Sequence, residues 1–182
     1  VVYYSDKRLE NKARRDLKKW EGSLEFQYVN NMSLEQILTK VSGVPPGSII
    51  LYLSVLVDSA GKAYTARDAL QQISRVSRAP VFGLYDILLG YGIAGGSLAS
   101  FKLIGTRAGQ LALDILRGIN PPEDIPRILD VPFVPMFDWR QLRRWKLSEA
   151  VLPKGSIVIN KELTLWDFRY YIIGALIFCL AE

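Results

Sequence analysis

Histidine is absent from all 182 residues. Its absence removes the commonest general base, the usual zinc ligand and any His–Asp relay, so chemistry carried by this chain would have to rest on carboxylates, Lys, Tyr or Ser. The single cysteine, Cys179, excludes a disulfide or a cysteine-built metal site within one chain. Neither an initiator Met, a basic leader nor a small-residue cleavage site opens the sequence. Residues 1–4 already have the β-branched and aromatic character of a strand, and the chain is therefore expected to be a piece lacking its N-terminal part. No internal repeat or low-complexity stretch occurs. What is present is a 49% hydrophobic composition, enough for a real core, and a net charge of +5 with a pI near 9.3. That charge by itself does not choose between nucleic acid, anionic lipid and plain solubility.

Up to about residue 84 the chain alternates short apolar runs with longer amphipathic stretches, the pattern of parallel βα units. Strands are predicted over 1–4, 24–29, 49–53 and 81–84. The first helix places Leu9, Ala13, Leu17 and Trp20 on one face and Lys12, Arg15, Lys18 and Lys19 on the other. A second starts at a capping box of Ser33 and Gln36, and a third follows Thr65. A fourth is expected over 106–116, closed by Gly118. Beyond it the rhythm breaks: a short strand over 128–131, a short helix over 139–145 and a strand over 156–160 are expected.

The last 20 residues hold Trp166, Phe168, Tyr170 and Tyr171, then an uncharged run over 172–181. Aromatic residues followed by such a run read as an interfacial belt and the first half of a membrane-spanning helix, since a full span needs about 20 apolar residues.

Gly90, Gly92 and Gly95 satisfy the spacing G-x-G-x-x-G. The dinucleotide fingerprint nevertheless requires the glycines to follow the first strand directly and to open a helix. Here residues 86–89 intervene, Gly96 and Ser97 follow, and the acid at the right distance, Asp114, falls inside a predicted helix. The basic, Trp-bearing segment 139–146 imitates a nucleic-acid patch, but a solvated helix with two Trp anchors explains it equally, and with an apolar tail close behind, no nucleic-acid partner is expected. Polar residues just past the strands' carboxyl ends are more informative, because ligands of open α/β sheets bind there. These are Ser5 and Asp6, Asn30 and Asn31, Ser54, and Tyr85 and Asp86. They offer donors, acceptors and a flat apolar wall suited to a small polar or aromatic solute. Ordinary capping and turn chemistry is the competing explanation for Asp6 and Asn31.

The run Ala79-Pro80-Val81-Phe82-Gly83-Leu84-Tyr85-Asp86, the glycine-rich turn after it, the stretch from Gly105-Thr106-Arg107-Ala108-Gly109 to Arg117-Gly118, and Pro121-Pro122-Glu123-Asp124-Ile125-Pro126 together resemble the substrate-binding proteins of bacterial ABC transporters, in the type I periplasmic-binding fold and near its tryptophan- and tyrosine-binding members. The later segments, Phe137-Asp138-Trp139-Arg140-Gln141-Leu142 and Leu152-Pro153-Lys154-Gly155-Ser156, resemble the version of that domain fused to membrane sensor histidine kinases. The resemblance implies an α/β lobe with a parallel sheet (the second lobe, 1–101), a return segment toward a largely missing first lobe (102–162) and the start of a membrane helix (163–182). It implies an extracytoplasmic sensor domain anchored in the bacterial inner membrane, which closes on a small solute without catalysis or cofactor, and a homodimeric receptor is compatible with it. The rivals are a transporter's binding component and, from another class, a nucleotide-using α/β enzyme.

Overall fold

The computed structural model describes residues 2–3, 7–126 and 130–162. Seven strands form one sheet: β1 (Val2–Tyr3), β2 (Tyr28–Val29), β3 (Ile50–Tyr52), β4 (Val81–Gly83), β5 (Gly95–Ala99), β6 (Phe133–Asp138) and β7 (Ile157–Ile159), in the order β2-β1-β3-β4-β5-β6-β7. The first five are parallel, β6 runs antiparallel to β5, and β7 is parallel to β6. Five helices accompany them among the described residues: α1 (Lys7–Leu17), α2 (Leu34–Ser42), α3 (Ala66–Val76), α4 (Phe101–Leu116) and α5 (Trp139–Arg144). The protein is thus an α/β domain with a mostly parallel sheet flanked by helices.

Alternation along the strands decides which helix covers which face. Ile50 and Tyr52 join the main core beneath α2 and α3, with Leu34, Ile37, Val41, Leu70 and Ile73. Leu51 and Leu53 point the other way, to Ala13 and Leu17 of α1. Full burial of each large aliphatic side chain contributes roughly 1.5–3 kcal/mol, so the α2–α3 face carries most of the stability. Tyr52, almost wholly buried, fixes the exit from β3: its hydroxyl donates to the Ala66 carbonyl at 2.6 Å and accepts from the Val55 amide at 3.2 Å.

The predicted starts of α2 and α3 match the structure. The Ser33 hydroxyl accepts from the Gln36 amide while the Gln36 side chain accepts from the Ser33 amide, and Thr65 accepts from the Asp68 amide. Other expectations change. The strand placed over 24–29 is confined to Tyr28–Val29. The helix placed at 106 begins at Phe101, because the Ser100 hydroxyl accepts from the Leu103 amide and the Asp86 carboxylate from the Phe101 amide. A strand forms at Gly95–Ala99, across the end of the glycine-rich stretch 90–96 and the start of the apolar-polar run 97–101, where none was predicted. Of the strand expected over 128–131, residues 128 and 129 lie outside the described residues and Val131 is not in a strand; β6 starts two residues later. Its Pro135 is tolerated because β7 covers only Met136 to Asp138, leaving the proline on an unpaired edge.

The segment read as a return path therefore adds β6 and β7 to the sheet that β1–β5 begin. Among the described residues no helix is long and apolar enough to cross a membrane, and the apolar tail, 163–182, lies outside them.

Candidate ligand site at the carboxyl edge

The order β2-β1-β3-β4-β5 reverses between β1 and β3. There the crossovers leave toward opposite faces, opening a crevice beyond the strands' carboxyl ends. Register aligns the candidates along that edge. Tyr52 pairs with Gly83, so Ser54 and Tyr85, each two residues further on, come level on adjacent strands. Ser54 is half-buried, and its hydroxyl makes no hydrogen bond among the described residues. Tyr85 is half-buried, with its ring tilted against Phe101 at 6.0 Å between centroids. Asn30 follows β2 and is half-buried, and Asn31 takes a left-handed turn conformation (φ 51°), the turn role that competed with ligand contact. Ser5 and Asp6 lie outside the described residues.

The two carboxylate oxygens of Asp86 differ. One carboxylate oxygen accepts from the Phe101 amide at 3.1 Å, satisfying a free N–H at the positive end of α4. The other is buried and has no hydrogen-bond partner. A buried carboxylate oxygen without a donor is costly, and a donor group on a bound solute would remove that cost.

The resemblance implies that the strand and loop over 49–58 reach the ligand; how that loop is held was not read from the sequence. Between β3 and α3 the chain makes a small hairpin, with Val57 bridged antiparallel to Ala63, and the buried Asp58 fastens it. The carboxylate accepts from the amides of Ala60 and Lys62 within the turn, from the Tyr64 hydroxyl, and from the Leu34 amide at the start of α2. The Leu34 amide, helped by the other donors, holds the Asp58 carboxyl below its ordinary value against the opposing effect of burial. Burial, reinforced by the Asp58 charge, pushes the Tyr64 phenol up. The sequence signal was available: Asp58 three residues before Gly61, whose φ is 77°, is an Asx-turn pattern.

The opposite, amino edge holds a second unforeseen cluster. Asp138, fully buried, caps α5 by accepting from the Arg140 amide, receives the Arg140 guanidinium at 3.0 Å, and accepts from the Asn160 side-chain amide at 3.0 Å. The hydrogen bond to the Asp138 carboxylate raises the Arg140 guanidinium above its usual value against the opposing effect of burial. The glycine motif packs against protein at this edge: a β-carbon on Gly92 would lie 2.4 Å from that of Ser74, and one on Gly95 would lie 2.3 Å from the Phe137 ring. Strand β5, not a helix, follows it. Among the described residues no group of three or more acidic, Cys or His side chains is placed to hold a metal.

These features define an α/β domain with a mostly parallel sheet and a polar carboxyl edge. No family model matches the chain, and no curated protein matches it. A solved structure, that of a conserved domain protein from Vibrio cholerae O1 biovar El Tor strain N16961, is similar with a TM-score of 0.56 at 12% identity, over 86% of this chain and 53% of that one. The likeness is one of fold, and the chain spans about half the length of that protein.

Proposed function

We propose that this chain is the solute-sensing part of a bacterial membrane receptor of the periplasmic-binding kind, and that Ser54, Tyr85 and Asp86 take the ligand at the carboxyl edge. The observation that carries the reading is the unpartnered, buried Asp86 oxygen beside the level pair Ser54 and Tyr85, at the edge where this strand order binds ligands. A carboxylate oxygen, a hydroxyl and an aromatic face suit a solute with a cationic amine and a flat apolar body, an aromatic amino acid being the simplest. Helix α4 supports a two-lobed arrangement: none of its 16 residues is buried, yet Ile104, Ala108, Leu111 and Ile115 form an apolar stripe. In the receptor this stripe packs on the first lobe, and the apolar tail enters the membrane. The sensor histidine kinase is the output this reading favours, on the resemblance of segments 137–142 and 152–156.

The test is a thermal-shift and calorimetric screen of the full-length protein against aromatic amino acids and their amines. Saturable binding weakened by Asp86→Ala, with the fold retained, supports the assignment. Unchanged affinity in that variant removes Asp86 from the site.

A further inference from the structure

Strand direction fixes where the described part of the chain ends. Strands β1–β5 all point to the carboxyl edge, whereas β6 and β7 run the other way, so Ile159 and Asn160 stand at the amino edge, opposite the proposed ligand site. The hydrogen bond from Asn160 to buried Asp138 holds that exit to the sheet. The described chain thus ends at the amino edge, and residue 163, the first of the apolar tail, follows from there.

The same edge carries the turns that enter β2, β3 and β4, and these expose large apolar side chains next to cations. Trp20 is 49% exposed, Leu24 53%, Ile49 55% and Val76 40%. Lys18 and Lys19 precede Trp20, and Arg75 and Arg78 flank the end of α3; all four are exposed and none has an acidic partner among the described residues. Glu21 and Glu25 offset the two lysines of the first turn, so the clearest positive charge sits at the second pair. In the order β2-β1-β3-β4 these turns span three inter-strand spacings of about 4.8 Å, so the groups line roughly 14 Å of the edge. Exposed Trp beside Lys and Arg is the side-chain mix found at the level of lipid head groups.

From these positions we propose that the amino edge rests on an anionic bilayer surface, with Lys18, Lys19, Arg75 and Arg78 at the head groups and Trp20 dipping among them. The proposal rests on the membrane reading of the tail and adds an orientation to it: the ligand site opens away from the bilayer. Each cation near an anionic surface adds attraction that fades within about 10 Å at 0.1 M salt. Contact through this edge should therefore depend on charge, whereas insertion of the tail should not.

The two are separable in one experiment. Full-length protein carrying Trp166→Phe, which removes the tail's own tryptophan, is reconstituted into brominated phosphatidylcholine vesicles with and without phosphatidylglycerol, and tryptophan quenching is compared with that of the same protein carrying Trp20→Phe as well. The expected result is flotation with both vesicles and a Trp20-dependent quenching that needs phosphatidylglycerol. It falls on the order of tenfold when all four cations are replaced by Glu, with flotation retained. Flotation without Trp20-dependent quenching, or quenching indifferent to the four charges, overturns the edge contact and leaves the tail reading standing. Failure to float with either vesicle overturns both.

Discussion

At the residue scale two buried aspartates act as fasteners at opposite edges of the sheet, and their loss should read out differently. The Asp58 carboxyl is held below its ordinary 3.8 by the donors around it. A group whose folded value is depressed contributes stability that is complete above its unfolded value and is lost as pH falls through the folded one. Asp58→Asn should lower the melting temperature by a constant amount above about pH 5, and the gap to the parent should close below about pH 4 as the parent's carboxyl protonates. A gap independent of pH down to acid unfolding would contradict this role. Asp138 is a different case: its guanidinium partner is half-exposed and can hydrate when released. Asp138→Ala should cost about 1–3 kcal/mol in denaturant titrations, most of it from the Arg140 amide and Asn160 left without an acceptor. A loss below 0.5 kcal/mol would show that water replaces the carboxylate freely.

At the element scale, what could be read from the sequence was whatever local chemistry decides. α2 and α3 were legible because Ser33, Gln36 and Thr65 cap them through bonds that reach only three residues. β5 was not, because Gly95 and Gly96 have no strand preference of their own. They are strand because β4 and β6 approach too closely for any side chain, with the Met136 carbonyl 2.4 Å from where a Gly95 β-carbon would sit. The start of α4 was placed too late because its cap is completed by Asp86, 15 residues earlier. Gly92→Ala tests the packing role of the glycine run. With φ at 126° and Ser74 in the way, it should destabilise the fold by about 1–3 kcal/mol or more and leave no dinucleotide binding to lose. Stable protein with abolished binding of reduced nicotinamide cofactor would instead favour the enzyme reading. Helix α4 offers a second test. Leu111→Asp should change the stability of the 182-residue chain only modestly, since Leu111 is part-buried there, but should lower that of a longer chain by at least about 1.5–3 kcal/mol if the proposed first lobe covers the stripe. Equal effects in both would argue that α4 stays uncovered.

For the whole molecule, the candidate site was legible to the extent that topology alone defines it. Ser54, Tyr85 and Asp86 follow from strand order, and the register brings the first two level. The turn at Asp58 carries a local signal in Gly61, but its tie to α2 was not legible, since that depends on Leu34 lying within 3.1 Å of a side chain 24 residues away. Nor was the binding of Asp86 to α4, which commits one of its oxygens to structure and leaves the other buried without a donor. The proposed role is that of a domain that closes on a small amine-bearing solute at the carboxyl edge and performs no chemistry on it. The direct measurement is calorimetric titration of full-length protein with aromatic amino acids and, in parallel, with reduced nicotinamide dinucleotide, using the parent, Asp86→Ala and Ser54→Ala. The expected result is saturable binding of an amino acid that comes back unaltered, weakened by about 2–5 kcal/mol in Asp86→Ala and less in Ser54→Ala, with no heat from the dinucleotide. Dinucleotide binding, or amino-acid binding indifferent to both substitutions in folded protein, would contradict it.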